Sequence, residues 1–143
     1  MSELEKFRQK FLIPAYTIRE FRHWTWSLRP LHATLGAGVI SANRYEPHFS
    51  GMTANECAEL ATVVMEVETR LMAAFAYDKI NYLMLMMVDP HVHMHVIPRY
   101  AAARDFGGTT WTDESWPRPP NATIGPTLGD DQAKAMIARI LGR

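Results

Sequence analysis

The sequence predicts a domain that mixes helices with a β-sheet, and three observations carry that expectation. Strand-period alternation of side chains appears at Phe21–Leu28 and again in His91-Val92-His93-Met94-His95. A capped segment with apolar residues at helical spacing runs from Thr53 to Phe75. An apolar run, Ile80–Val88, meets the histidine row across Asp89-Pro90, a turn signal that would join two strands as a hairpin. At 143 residues, 48% hydrophobic and 21% charged, the chain has the size and composition of one domain with one solid core.

The elements follow in order. Leu4, Phe7, Phe11 and Leu12 predict a short amphipathic helix over residues 3–12, ending before Pro14. In Phe21–Leu28, Trp24, Trp26 and Leu28 face one way and His23, Thr25 and Ser27 the other, until Arg29-Pro30 ends the strand. Leu35–Ala42 is a second strand, opened by Gly36 and Gly38, where backbone can approach something closely. Thr53-Ala54-Asn55-Glu56 is a capping box, with Met52 and Cys57 as its hydrophobic staple. Apolar positions 57, 60, 61, 64, 67, 71 and 75 then form one stripe. Ile80–Val88, apolar on both faces, fits a central strand under a helix, with Met84, Met86 and Met87 filling core. Ala101–Pro117 and the Pro- and Gly-rich stretch to Gly129 read as loop and extended arm. Asp130 or Asp131 caps a last helix whose Met136, Ile137, Ile140 and Leu141 share a face, closed by Gly142.

Charge and composition exclude several classes. The formal net charge is zero, so bulk electrostatics predict neither nucleic-acid nor membrane-surface binding. Cys57 is the lone cysteine, which removes disulfides and cysteine-based zinc sites. The N-terminal residues carry Glu3, Glu5, Lys6, Arg8 and Lys10 among scattered apolar ones, without the continuous apolar stretch of a signal peptide, and Tyr82–Val88 is too short to span a bilayer. A cytoplasmic protein is expected.

The histidine row carries the chemistry. If Pro90–Arg99 is a strand, His91, His93 and His95 line one face with neighbours roughly 6–7 Å apart, while Val92, Met94 and Val96 enter the core. Three imidazoles on one face can bind a metal or handle a phosphate, one ring attacking and the others donating protons. A closed zinc site would need a fourth ligand from His23, His32, His48 or a carboxylate. Those three histidines are otherwise expected as solvated or edge residues, and Trp24 and Trp26 as core or dimer packing.

His91-Val92-His93-Met94-His95-Val96-Ile97-Pro98-Arg99 resembles the signature of the histidine-triad (HIT) superfamily. Leu35–Ile40 with Arg44, the capped helix from Thr53 and the strand from Asn81 resemble that family in the same order, so the likeness covers roughly residues 22–100. The pattern is closer to a bacterial-looking branch than to the diadenosine polyphosphate hydrolases. The resemblance implies an α+β fold with an antiparallel sheet of about five strands, one main helix packed on it and a C-terminal helix. The single domain over residues 1–143 then divides into this core, a loop or arm at 101–129 and the helix at 130–142. It also implies a homodimer that hydrolyses or transfers nucleoside-monophosphate groups at the α-phosphate. His93 matches the nucleophile, flanked by His95 and His91, with no metal in the chemical step and no cofactor. Arg99, Asn81 and Trp111 are candidate substrate contacts, with Trp111 or Trp116 on a lid over the site. The alternatives are a zinc-binding module and a nucleotide-binding protein with little catalysis. The latter arises because Asp89-Pro90 stands where many family members carry a stretch that holds the leaving group.

Overall fold

A computed structural model describes all of residues 1–143. Five antiparallel strands form the central sheet: β1 (Thr17–Glu20), β2 (Trp24–Leu28), β3 (Gly38–Ala42), β4 (Lys79–Leu83) and β5 (His93–Arg99). Their spatial order is β1-β2-β3-β5-β4, which puts the histidine strand inside the sheet and β4 at an edge. Helix α1 (Glu3–Lys10) lies on one face, and α2 (Ala54–Phe75) and α3 (Asp130–Ile140) pack on the other. This is the α+β architecture that the sequence implied. No helix is long and apolar enough to cross a membrane.

Local chemistry explains α2. Thr53 Oγ1 accepts from the Glu56 N–H at 3.1 Å while Glu56 Oε1 accepts from the Thr53 N–H at 2.9 Å, the reciprocal capping expected from Thr53-Ala54-Asn55-Glu56. The buried stripe is Val63, Val67, Leu71, Ala74 and Phe75. Cys57 and Ala61 are exposed, so the stripe is rotated in the first turns from the expected one. There Glu56 turns inward instead, held by Arg44 Nη2 at 2.9 Å, while its carbonyl accepts from the Trp24 indole at 2.8 Å. Trp24, Trp26 and Leu28 lie fully buried in the same core as Val63, Val67 and Leu71.

Other expectations are corrected. Ile80–Val88 does not continue as a strand: pairing ends at Leu83 opposite His95, and nine residues rather than two lead to β5. Leu85, Met87 and Val88 are exposed in that connection, so Met87 is not core. An apolar run carries no periodicity to mark where a strand leaves its sheet. His91 precedes β5 rather than lying in it. β1 and a short ribbon, β6 (Arg104–Phe106) with β7 (Thr109–Trp111), lie in segments with no strand prediction, and Gly107-Gly108 form its turn with positive φ. The arm after Thr112 folds back: Leu128 N–H donates to the Pro30 carbonyl and His32 N–H to that of Pro126, seating Leu128 in the core.

Candidate active site

Register sets the site. β3 pairs with β5 so that His93 lies opposite Ser41 and His95 opposite Val39, and β2 continues these rows with Thr25 and Ser27. Residues directly opposite share a face, so both rings stand on the side of the sheet away from α2. Gly38 permits the close strand packing beside them: a Cβ there would lie 2.7 Å from the Ser27 carbonyl oxygen.

Hydrogen bonds fix the ring states. The Glu46 N–H donates to His91 Nδ1 at 3.2 Å, so His91 carries its proton on Nε2 and donates it to the Ala42 carbonyl at 2.7 Å. Both nitrogens of His91 are thereby committed to backbone, and the ring stacks on Tyr45 at 5.5 Å. His93 Nδ1 lies 2.6 Å from the His91 carbonyl oxygen, which can only accept, so His93 is protonated there and holds its lone pair on Nε2. The His95 ring stands nearly perpendicular to it at 5.0 Å, with Nδ1 buried and unpartnered.

Helix α1 covers this row. Ser2 and Glu5 form its capping box, and Phe7 and Phe11, one turn apart, turn the same face to the sheet. The Phe7 ring lies 5.0 Å from both His91 and His93, and Phe11 lies 5.9 Å from His93 and 6.0 Å from His95. Lys10 Nζ ties the helix to the β4–β5 connection through Asp89 at 2.8 Å. Burial disfavours the charged imidazolium. It pushes His95 down to about 3, with the Arg29 charge adding to the effect, and it lowers His93 and His91. The three rings are neutral at pH 7.

A cavity of about 390 Å³ opens at the end of the row, lined among others by Lys10, Phe11, Arg29, Asp89, His93 and His95. That size suits a small-molecule ligand. His91 is absent from it and borders a smaller hollow behind, with Phe7 and Tyr45. The other candidates lie elsewhere. Arg99 shares the alternation of the row, but its charge is bound to Asp113 at 2.6 Å, and its guanidinium also donates to Asn81 Oδ1 and the Arg118 carbonyl. Arg99 and Asn81 line a separate cavity with Trp116 and Arg118. Trp111 is a core residue, its indole donating to the His32 carbonyl at 3.0 Å with its ring edge-on to His32, so it does not cover the triad. His32 is fully buried rather than solvated, accepting from the Gly36 N–H on Nε2 and bonding the Arg29 carbonyl through Nδ1. No group of three His, Cys, Asp or Glu side chains is arranged to hold a metal ion.

Lys10, Phe11 and Arg29 are the pocket residues that sequence reasoning passed over. Arg29 had a usable signal: it continues the alternation Thr25, Ser27 onto the histidine face. The helical period of Phe7 and Phe11 reveals an apolar face but not the surface it covers.

A HIT-domain family model matches residues 39–102. Among solved structures, the chain is similar to a histidine triad protein from Sinorhizobium meliloti, with 18% identity, 96% of this chain and 93% of that one covered, and a TM-score of 0.72. It is also similar to a histidine triad nucleotide-binding protein, described as hypothetical, from Sulfolobus tokodaii (19% identity, 87% and 80% covered, TM-score 0.64). A third is a zinc-bound histidine triad family protein from Mycobacterium smegmatis (16% identity, 99% and 96% covered, TM-score 0.65). No curated protein matches the chain in sequence. Residues 39–102 thus match the HIT domain, with His93 and His95 on β5 and His91 just before it, and nearly the whole chain shares its fold with histidine-triad proteins of known structure.

Proposed function

We propose that this chain is a nucleotidyl hydrolase or transferase that works at the α-phosphate through a transient nucleotidyl-histidine on His93. The observation that carries the reading is the His93 tautomer: with Nδ1–H donated to the His91 carbonyl, the remaining nitrogen is a neutral nucleophile on a ring that lines the pocket. Attack by that Nε2 lone pair forms the P–N bond, and the P–O or P–N bond to the leaving group breaks with its electron pair. His95 supplies a hydrogen bond to the phosphoryl or leaving oxygen. Water, or an acceptor hydroxyl in a transferase, then displaces His93. Overall the hydroxyl ends on phosphorus, its proton on the leaving group, and His93 returns neutral.

His91 acts as a positioning residue in this reading. Its ring bridges Glu46 and Ala42, and its carbonyl sets the tautomer of the nucleophile. The single domain and the homodimer belong to the same proposal. In support of a dimer, β4 has one unpaired edge, and the exposed Leu85, Met87 and Val88 leave an apolar strip beside the pocket.

Incubation with an adenosine 5′-phosphoramidate labelled at phosphorus tests the mechanism. Acid-labile, alkali-stable label should accumulate on the protein and vanish in His93→Ala. Turnover retained by a folded His93→Ala would end the reading.

A further inference from the structure

We propose that Arg29 is the anion-recognising side chain of the triad pocket, pairing its guanidinium with a phosphate group of the ligand on the His95 side. The proposal rests on the nucleotide reading above and goes beyond it by naming the group that meets the ligand's negative charge.

Arg29 follows the last residue of β2, and its N–H donates to the Ala37 carbonyl at 3.0 Å, prolonging the β2–β3 ladder by one residue. Alternation from Thr25 and Ser27 sets it on the histidine face, one row beyond Ser27, Val39 and His95. It lines the same cavity as His93 and His95. Only 8% of the residue is exposed, and Nε and Nη1 are buried without a hydrogen-bond partner. None of the ion pairs in the molecule includes it.

That is an expensive state for a guanidinium. An arginine does not discharge at neutral pH, and a buried charge without a counter-charge opposes folding. The pocket offers no internal relief: Asp89 is already bound to Lys10 through both carboxylate oxygens, at 2.8 and 2.9 Å. With the histidines neutral, the lining keeps one uncompensated positive charge, and it sits on Arg29. A group that presents two anionic oxygens to the guanidinium fork satisfies it, and phosphate does so bidentately. His95, whose Nδ1 is likewise buried and unpartnered, lines the same cavity. Arg29 is also, after burial, the strongest influence keeping His95 neutral, which marks the His95 side of the row as its neighbourhood.

The phosphate has two possible sources, the group that His93 attacks or a second phosphate on the same ligand. Calorimetric titration of the full chain with adenosine, AMP, adenosine 3′,5′-bisphosphate and inorganic phosphate separates them, using the wild type, Arg29→Gln and Arg29→Lys. We expect Arg29→Gln to leave adenosine binding unchanged and to weaken a phosphate-bearing ligand about thirtyfold or more, the loss typical when one partner of a buried charge pair is removed. Arg29→Lys should restore part of it. Equal weakening of AMP and the bisphosphate assigns the attacked phosphate; weakening of the bisphosphate alone assigns a second one. Because the wild-type guanidinium makes no internal bond, the urea midpoint of Arg29→Gln should not fall. Phosphate-bearing ligands that bind both proteins alike overturn the proposal and leave the nucleotide reading intact. A wild type that ignores nucleotides but binds inorganic phosphate through Arg29 overturns that reading and keeps this one. A lowered urea midpoint with equal loss for adenosine and AMP makes Arg29 structural and also refutes the proposal, as does a wild type that binds none of the four.

Discussion

Acidification from pH 7 to pH 5 should cost this protein much of its stability, and the loss should come from imidazoles rather than carboxylates. His32 and His95 are each pushed down to about 3 by burial in the folded chain, against about 6.5 when unfolded. Between those values the unfolded state binds more protons than the folded one, so stability rises with pH. The contribution is fully present above pH 6.5, falls as pH drops below it, and is gone once pH is below about 3. At pH 5 the unfolded state gains about 1.5 pH units of binding per group, or about 2 kcal/mol each at 1.36 kcal/mol per unit. His91 and His93, also lowered, add in the same direction. A total of about 4 kcal/mol or more is a large part of the 5–15 kcal/mol typical of a folded domain.

Glu46 and Glu56 are held below the ordinary carboxylate value, Glu46 chiefly by the His48 N–H and Glu56 chiefly by Arg44, so they matter only at still lower pH. The interval from 6.5 to 5 therefore isolates the histidines. Urea unfolding at pH 7, 6 and 5 measures the effect, with imidazole proton resonances followed in parallel. A midpoint constant across that interval, or a His95 resonance that titrates near 6.5, would refute the claim that the triad is buried and neutral.

Three further outcomes follow from the packing. Asp113→Asn should cost about 3 kcal/mol and lower Tm by roughly 10 °C in thermal unfolding, since it leaves Arg99 in a buried site without its counter-charge; an unchanged Tm would refute the structural role. Phe7→Ala should cost about 3 kcal/mol and admit solvent to the row, moving the His93 resonance titration up toward 6.5. Trp111→Phe should cost about 1–2 kcal/mol through the lost bond to the His32 carbonyl. Nucleotide affinity in that variant, read by calorimetry, should stay within about twofold of wild type, whereas a tenfold loss would restore the lid.

The parts legible in the sequence were those fixed by local periodicity. The capping box at Thr53, the alternation of Trp24, Trp26 and Leu28 and the two-residue spacing of the histidines each act within a few residues, and each produced its element. Errors arose where a partner distant in sequence decides. Ile80–Val88 is apolar throughout, yet β5 offers it pairing only as far as Leu83. Arg99 stands on the histidine face by alternation, but Asp113, fourteen residues on, holds its charge. Trp111 and His32 are 79 residues apart, and neither neighbourhood announces that one bonds the other's backbone. Arg29 lies just past a clean alternation, where Pro30 ends the strand and the local pattern stops.

The triad motif alone does not set its own chemistry. His-φ-His-φ-His fixes which rings share a face, but a row of exposed imidazoles would titrate near 6.5 and be partly cationic at neutral pH. Here neutrality comes from α1, whose Phe7 and Phe11 lie over the rings, and the tautomer comes from the His91 carbonyl. The lone pair on His93 thus depends on a helix more than eighty residues away in sequence, held in place by the contact of Lys10 with Asp89 beside the strand it serves. Separating the two would leave the motif intact in sequence and its nucleophile partly protonated at neutral pH.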